Sequence, residues 1–251
     1  MDVFEMVEFH SRWVKVPNAD LQIDAYLAEP MWQGPCAAVI VIQEIFGVNA
    51  HIREVTERFA REGYVAIAPA IFERVAPGFS AGYSEADILQ GRKYKDQTTV
   101  DQLLSDLLAT LGYLKAKANV KQNKIGAIGF CFGGHVAYLA ATLPDIKATA
   151  SFYGAGIATM TPGGGPATIT RTSQIPGTVY AFFGTQDELI PNDQADQVEA
   201  ALKQHNPSNQ VFRYPTGHGF FCDHRPDFNP EAAAAAWQQV KQLFQEKLSG
   251  W

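Results

Sequence analysis

Ala37-Ala38-Val39-Ile40-Val41-Ile42 is continuously apolar. Side chains of a strand alternate between its two faces, so an unbroken apolar run needs cover on both. Tyr64-Val65-Ala66-Ile67-Ala68 repeats the pattern and stops at Pro69. A charged segment, 49–62, lies between them with the spacing of a helix and ends at Gly63. Residues 99–118 give the clearest helix. Val100, Leu103, Leu104, Leu107, Leu108, Leu111 and Leu114 form an apolar stripe, with Asp101, Gln102, Ser105 and Asp106 opposite. Strands are expected again at 124–129, 147–153, 178–183 and 209–214, and helices at 132–142, 192–205 and 230–248. This alternation demands a mostly parallel sheet with helices on both faces, an α/β fold. An antiparallel hairpin, 8–16 with 21–28 around Pro17-Asn18-Ala19-Asp20, precedes it.

No repeat or linker divides the chain, so residues 1–251 are expected to form a single domain. Hydrophobic residues at 47% and charged residues at 18% suit a full core. Two stretches break the rhythm. Residues 72–98 are polar and irregular. Residues 154–177 form a loop around Thr161-Pro162-Gly163-Gly164-Gly165-Pro166. Loops beyond about 12–15 residues are either functional lids or tolerated insertions.

A net charge of −6 argues against a nucleic-acid partner. No apolar run approaches the roughly 20 residues of a membrane helix. The start, MDVFEMVEFH, lacks the pattern of a signal peptide. The cysteines Cys36, Cys131 and Cys222 are odd in number and have no metal-ligand spacing. Free thiols in a reducing cytoplasm, with no metal, follow as expectations. Cys36 reads as a small buried apolar residue.

Cys131 does not. It sits at the joint between the strand ending at Gly129 and the helix beginning at Phe132, in the pattern Gly129-x-Cys131-x-Gly133. That is a nucleophile elbow with cysteine in place of serine. The turn is so sharp that its neighbours two away must be small. The N–H of Phe132 faces the same space and can bind an oxyanion, while the helix N-terminus favours a thiolate. An acid and a histidine should follow in that order on later strand ends. Asp187 follows the strand Val179-Tyr180-Ala181-Phe182-Phe183, and His218 follows Gln210-Val211-Phe212-Arg213-Tyr214. All three then lie where parallel sheets bind ligands, at the carboxyl ends of strands. Glu188 and Asp193 compete with Asp187; His51, His135, His205 and His224 compete with His218.

Gln43-Glu44-Ile45-Phe46-Gly47-Val48-Asn49, Gly129-Phe130-Cys131-Phe132-Gly133-Gly134, Gly184-Thr185-Gln186-Asp187 and Gly217-His218-Gly219-Phe220 together resemble the dienelactone hydrolase (carboxymethylenebutenolidase) family, over about residues 20–248. The resemblance implies an α/β-hydrolase fold and a Cys-His-Asp triad, with no cofactor. It also implies that Glu44 binds the resting thiol and takes its proton when substrate arrives, and that the N–H of Ile45 is a second oxyanion donor. In the family two arginines hold a substrate carboxylate. Here Arg92 lies near the first place; Cys222 stands four residues after the histidine, where the second would be, and Arg225 is the nearest arginine. The expected activity is hydrolysis of a small ester or lactone through an acyl-enzyme on Cys131. The rivals are a general carboxylesterase or thioesterase and a non-catalytic binding protein that kept the fold. The sequence leaves the oligomeric state open.

Overall fold

The apolar run at 37–42 becomes one strand of a central sheet in the computed structural model, which describes residues 7–31 and 34–249. Residues 1–6, where the reading of no signal peptide begins, lie outside the described residues. The strands are β1 (Phe9–Asn18), β2 (Leu21–Pro30), β3 (Cys36–Ile42), β4 (Val65–Pro69), β5 (Val120–Phe130), β6 (Ile146–Phe152), β7 (Thr178–Gly184) and β8 (Gln210–Tyr214). Among the described residues they form one sheet in the order β1-β2-β4-β3-β5-β6-β7-β8. Strands β3 to β8 pair in parallel, and β1 and β2 form the expected antiparallel hairpin. The helices are α1 (Ala50–Arg61), α2 (Glu85–Lys95), α3 (Val100–Lys115), α4 (Phe132–Ala140), α5 (Asn192–His205) and α6 (Pro230–Leu248).

The double cover inferred for 37–42 is real. Val39 and Val41 pack with residues of α1 and α6, whereas Ala38, Ile40 and Ile42 pack with residues of α3 and α4. No helix among the described residues is long and apolar enough to cross a membrane.

Three local readings need correction. Residues 72–98 are not wholly irregular: they contain α2, begun by a capping box in which Ser84 and Asp87 satisfy each other's backbone N–H groups. Only Gly91 of this helix is buried, so it has no apolar stripe to read, and the cap was its one sequence signal. On α3 the buried set is Val100, Leu103, Asp106, Leu107, Thr110, Leu111 and Leu114, while Leu108 is 50% exposed. Asp106 therefore faces inward, against its assignment to the polar side. It can do so because Arg74 grips it with contacts of 2.7–3.2 Å and Asn18 donates to it at 2.7 Å. The loop 154–177, in turn, contains a 3₁₀ turn at Thr168–Gln174.

Candidate active site

Strand β5 becomes helix α4 within one residue. Cys131 has φ 55° and ψ −119°, a conformation that costs a non-glycine residue about 1–3 kcal/mol. The glycines around it are fixed by close backbone approach. A Cβ on Gly129 would lie 1.9 Å from the Gly133 carbonyl oxygen; one on Gly133 would lie 2.3 Å from the carbonyl oxygens of both Ile42 and Gln43. The start of α4 is thus pressed against the end of β3, which brings Phe132 and Ile45 to the same cleft as Cys131. As the first residue of α4, Phe132 has an N–H that the helix leaves without a partner. Gly133→Ala should destabilise the protein by about 3 kcal/mol, because backbone rather than a yielding side chain opposes the new methyl. Gly112→Ala, in α3 with nothing within 4 Å, should instead stabilise by up to about 1 kcal/mol. Urea unfolding midpoints of the two variants measure the contrast.

Strands β7 and β8 deliver the other two groups side by side. Gly184 ends β7 opposite Tyr214, and no side chain fits there because the Thr216 carbonyl oxygen would be 2.3 Å from it. Beyond these ends, Asp187 Oδ2 lies 2.7 Å from His218 Nδ1. Asp187 Oδ1 accepts the N–H groups of Leu189 at 2.8 Å and Ile190 at 3.2 Å, so the carboxylate is held from both sides. His218 is buried and lines the cleft, and its Nε2 has no hydrogen-bond partner among the described residues. Burial alone would lower its pKa. The charge of the Cys131 sulfur, then the Asp187 hydrogen bond, outweigh burial and push His218 up to about 10. The sulfur acts on His218 by proximity of charge; Nε2 makes no formed hydrogen bond to it.

Glu44 is fully buried at the end of β3. Its Oε1 accepts from Arg225 Nη1 at 2.8 Å, and the Tyr83 hydroxyl approaches Oε2 at 3.4 Å. Tyr83 in turn accepts from Asn49 Nδ2 at 3.1 Å and from the Cys222 thiol at 3.2 Å. Burial, and then the Glu44 charge, raise Tyr83 well above the usual phenol range and push Cys222 up to about 12. Burial disfavours the Arg225 guanidinium, but Glu44, with Cys131 and Tyr153, more than restores it.

The cleft has a volume of about 250 Å³, and both Arg92 and Arg225 line it with Cys131 and His218. Glu44 reaches it through Arg225. The rival acids Glu188 and Asp193 are exposed. Among the rival histidines, His205 donates from Nε2 to the Ile175 carbonyl and His224 pairs with Glu54. His135 is buried in α4, and burial lowers it to about 4. The neutral ring donates from Nδ1 to the Ala155 carbonyl at 2.9 Å and accepts from the Thr168 hydroxyl at Nε2, 2.6 Å. It thereby fastens the loop 154–177 to the elbow helix, and Ala155, Gly156 and Met160 of that loop form a wall of the cleft.

Sequence reasoning passed over Lys95, which also lines the cleft, and Tyr153. Tyr153 follows β6 at φ 35°, packs edge-on to His218 with ring centroids 5.1 Å apart, and has a buried hydroxyl with no partner among the described residues. Lys95 falls three residues after Arg92, one turn along α2, a spacing that only the recognition of that helix would have revealed.

The dienelactone hydrolase family model matches residues 23–248. A protein of Synechocystis sp. bearing the name "putative carboxymethylenebutenolidase" is 56% identical over 243 residues, covering 96% of this chain and 99% of its own length. One of the same name from Escherichia coli K12 is 31% identical, with 93% and 86% covered. The crystal structure of a "putative dienelactone hydrolase" from Klebsiella pneumoniae superposes with a TM-score of 0.85 at 28% identity, covering 95% of this chain and 99% of that one. An eight-stranded α/β-hydrolase sheet, a cysteine elbow and relatives matched along nearly the whole chain lead to one conclusion: this protein belongs to the dienelactone hydrolase family and is a hydrolase of that type, acting on small-molecule esters or lactones.

Proposed function

We propose that one domain spanning the chain hydrolyses an ester or lactone through Cys131, His218 and Asp187, by way of a thioester. The observation that carries this reading is a single cleft shared by an elbow cysteine and the unpartnered Nε2 of a histidine whose Nδ1 is held by a carboxylate. The Cys131 sulfur attacks the carbonyl carbon and its proton goes to His218 Nε2. The N–H groups of Ile45 and Phe132 hold the oxyanion. The leaving alkoxide takes the proton from His218. Water, deprotonated by His218, then attacks the thioester and frees the acid and Cys131. Asp187 keeps the proton-bearing Nδ1 turned away from the sulfur. For a lactone the leaving oxygen stays attached, so a single product forms.

The test is direct capture. A slowly hydrolysed ester should add one acyl group to Cys131, seen by mass spectrometry. Iodoacetamide at pH 8 should label Cys131 first, and substrate should block it. Cys222, pushed up to about 12, is thiolate in only about one molecule in 10⁴ at that pH, and its labelling should rise about tenfold per pH unit. Equal labelling of the two thiols would count against Cys131 as nucleophile.

The substrate is best read as carrying a carboxylate. Arg92 and Lys95 line the cleft, and Arg225 reaches it while bound to Glu44. A carboxylate that draws Arg225 towards itself frees Glu44 to take the thiol proton first and hand it on to His218 Nε2. Arg92 gives the cleaner test of charge recognition. Loss of Arg225 would strand a buried Glu44, at a cost of about 3–5 kcal/mol. Arg92→Gln should raise KM for a carboxylate-bearing lactone by one to two decades, the worth of a charge-assisted contact of about 1.5–3 kcal/mol. The methyl ester of the same lactone should be little affected. Equal losses on both substrates would favour the general-esterase reading.

A further inference from the structure

A second cleft, of about 490 Å³, opens behind the Glu44 network and is lined by His51, Glu54 and Asp223 among others. We propose that these three residues bind a dication of the zinc class.

One ligand atom from each of the three lies within 4.8 Å of the other two. Zinc bonds of about 2.0–2.2 Å require donors closer than this. Glu54 and Asp223 can supply the movement, since their side chains are 55% and 61% exposed. His51 is the fixed partner. It is 3% exposed, in the first turn of α1, with its ring set edge-on against Phe130 at 5.5 Å and Phe221 at 6.2 Å. Its Nε2 is buried without a hydrogen-bond partner among the described residues. An idle imidazole in a polar cluster is the independent sign of a missing ligand, because a buried nitrogen left unpaired costs free energy.

The surroundings are those of a metal site. His224 Nε2 lies 3.0 Å from Glu54 Oε2 and orients that carboxylate from outside, as outer partners of metal ligands do, while Asp223 Oδ1 lies 3.7 Å from the same nitrogen. Arg58 and Arg61 also line the cleft. Arg58 is stacked over Trp237 at 3.9 Å and Arg61 is paired with Glu57 at 3.3 Å. Their positive charge works against ions held by charge alone, such as Mg²⁺. A bond to imidazole nitrogen is what selects Zn²⁺ or Co²⁺. The site adjoins the proposed chemistry: a ring nitrogen of His51 also lies within 4.8 Å of a Glu44 carboxylate oxygen and of the Cys222 sulfur, and Asp223 stands between Cys222, bonded to Tyr83, and Arg225, bonded to Glu44.

The experiment uses the whole chain, stripped with a chelator and titrated by calorimetry with Zn²⁺ and with Mg²⁺, and by visible absorption with Co²⁺. One Zn²⁺ per chain is expected, bound at least about 100-fold more tightly than Mg²⁺. The Co²⁺ spectrum should show weak bands of nitrogen and oxygen ligands, with no intense thiolate band. Glu54→Gln and Asp223→Asn should each weaken Zn²⁺ binding at least tenfold, and His224→Ala by about 10–100-fold. Circular dichroism checks that the variants fold; both carboxylates are exposed, so they should. Any of three results overturns the proposal: no saturable Zn²⁺ binding, unchanged affinity in both carboxylate variants, or a thiolate band that disappears in Cys131→Ala or Cys222→Ser.

Discussion

Cys131→Ala should lose about six orders of magnitude in kcat, the scale seen when a nucleophile that works with a base is removed, while unfolding within a few degrees of the parent. Alanine keeps the Cβ, so the strained φ of 55° and the packing of Gly129 and Gly133 against backbone are unchanged. What vanishes is the atom proposed to attack. Oxyanion donors and binding would remain and leave a residual rate about 10³–10⁴ above water. A steady-state assay on an activated ester, with thermal unfolding alongside, checks both halves. Substantial activity in a well-folded alanine variant would remove Cys131 from the mechanism.

The second large effect concerns Asp187. Asp187→Asn should lower kcat by about 10⁴, and the structure gives the reason. Oδ1 accepts two backbone N–H groups, from Leu189 and Ile190. The asparagine must therefore place its carbonyl oxygen there and turn its NH₂ towards His218 Nδ1. That nitrogen then has to accept rather than donate, which moves the ring proton to Nε2 and removes the base. His218→Ala should cost still more, since base and thiolate partner go together. Glu188→Gln, at an exposed position, should change kcat less than about twofold. A larger loss for Glu188→Gln than for Asp187→Asn would identify the wrong acid.

The parallel core was legible because burial on both faces writes itself into a strand as an unbroken apolar run, as in β3. The three proposed catalytic groups were legible because a parallel sheet puts its ligand-binding loops at one edge, in chain order. Two things resist such reading. Helix α2 buries only Gly91, so hydrophobic periodicity could not reveal it, and Lys95 went unnoticed with it. Asp106 can face inward because Arg74 and Asn18, both far from it in sequence, reach over to bind it. The partnership of Glu44 with Arg225 is of the same kind: it joins the end of β3 to a turn near the far end of the chain. Short-range patterns record which side of an element is apolar. They do not record which distant charge makes a buried carboxylate tolerable.

The strand order has a consequence for how the molecule becomes competent. Cys131, Asp187 and His218 follow β5, β7 and β8, and β6 lies between the first of these strands and the other two. The contact that joins Asp187 to His218, and the strand pairing that brings both to Cys131, link segments distant along the chain. Such contacts form late, because loop closure must come before the pairing that rewards it. Helical signal on refolding should therefore return before hydrolysis does. A chain stalled with β8 undocked would present a thiol at the elbow with no imidazole beside it. Regain of turnover, timed against helix formation, thus serves as a clock for the last strand to join the sheet.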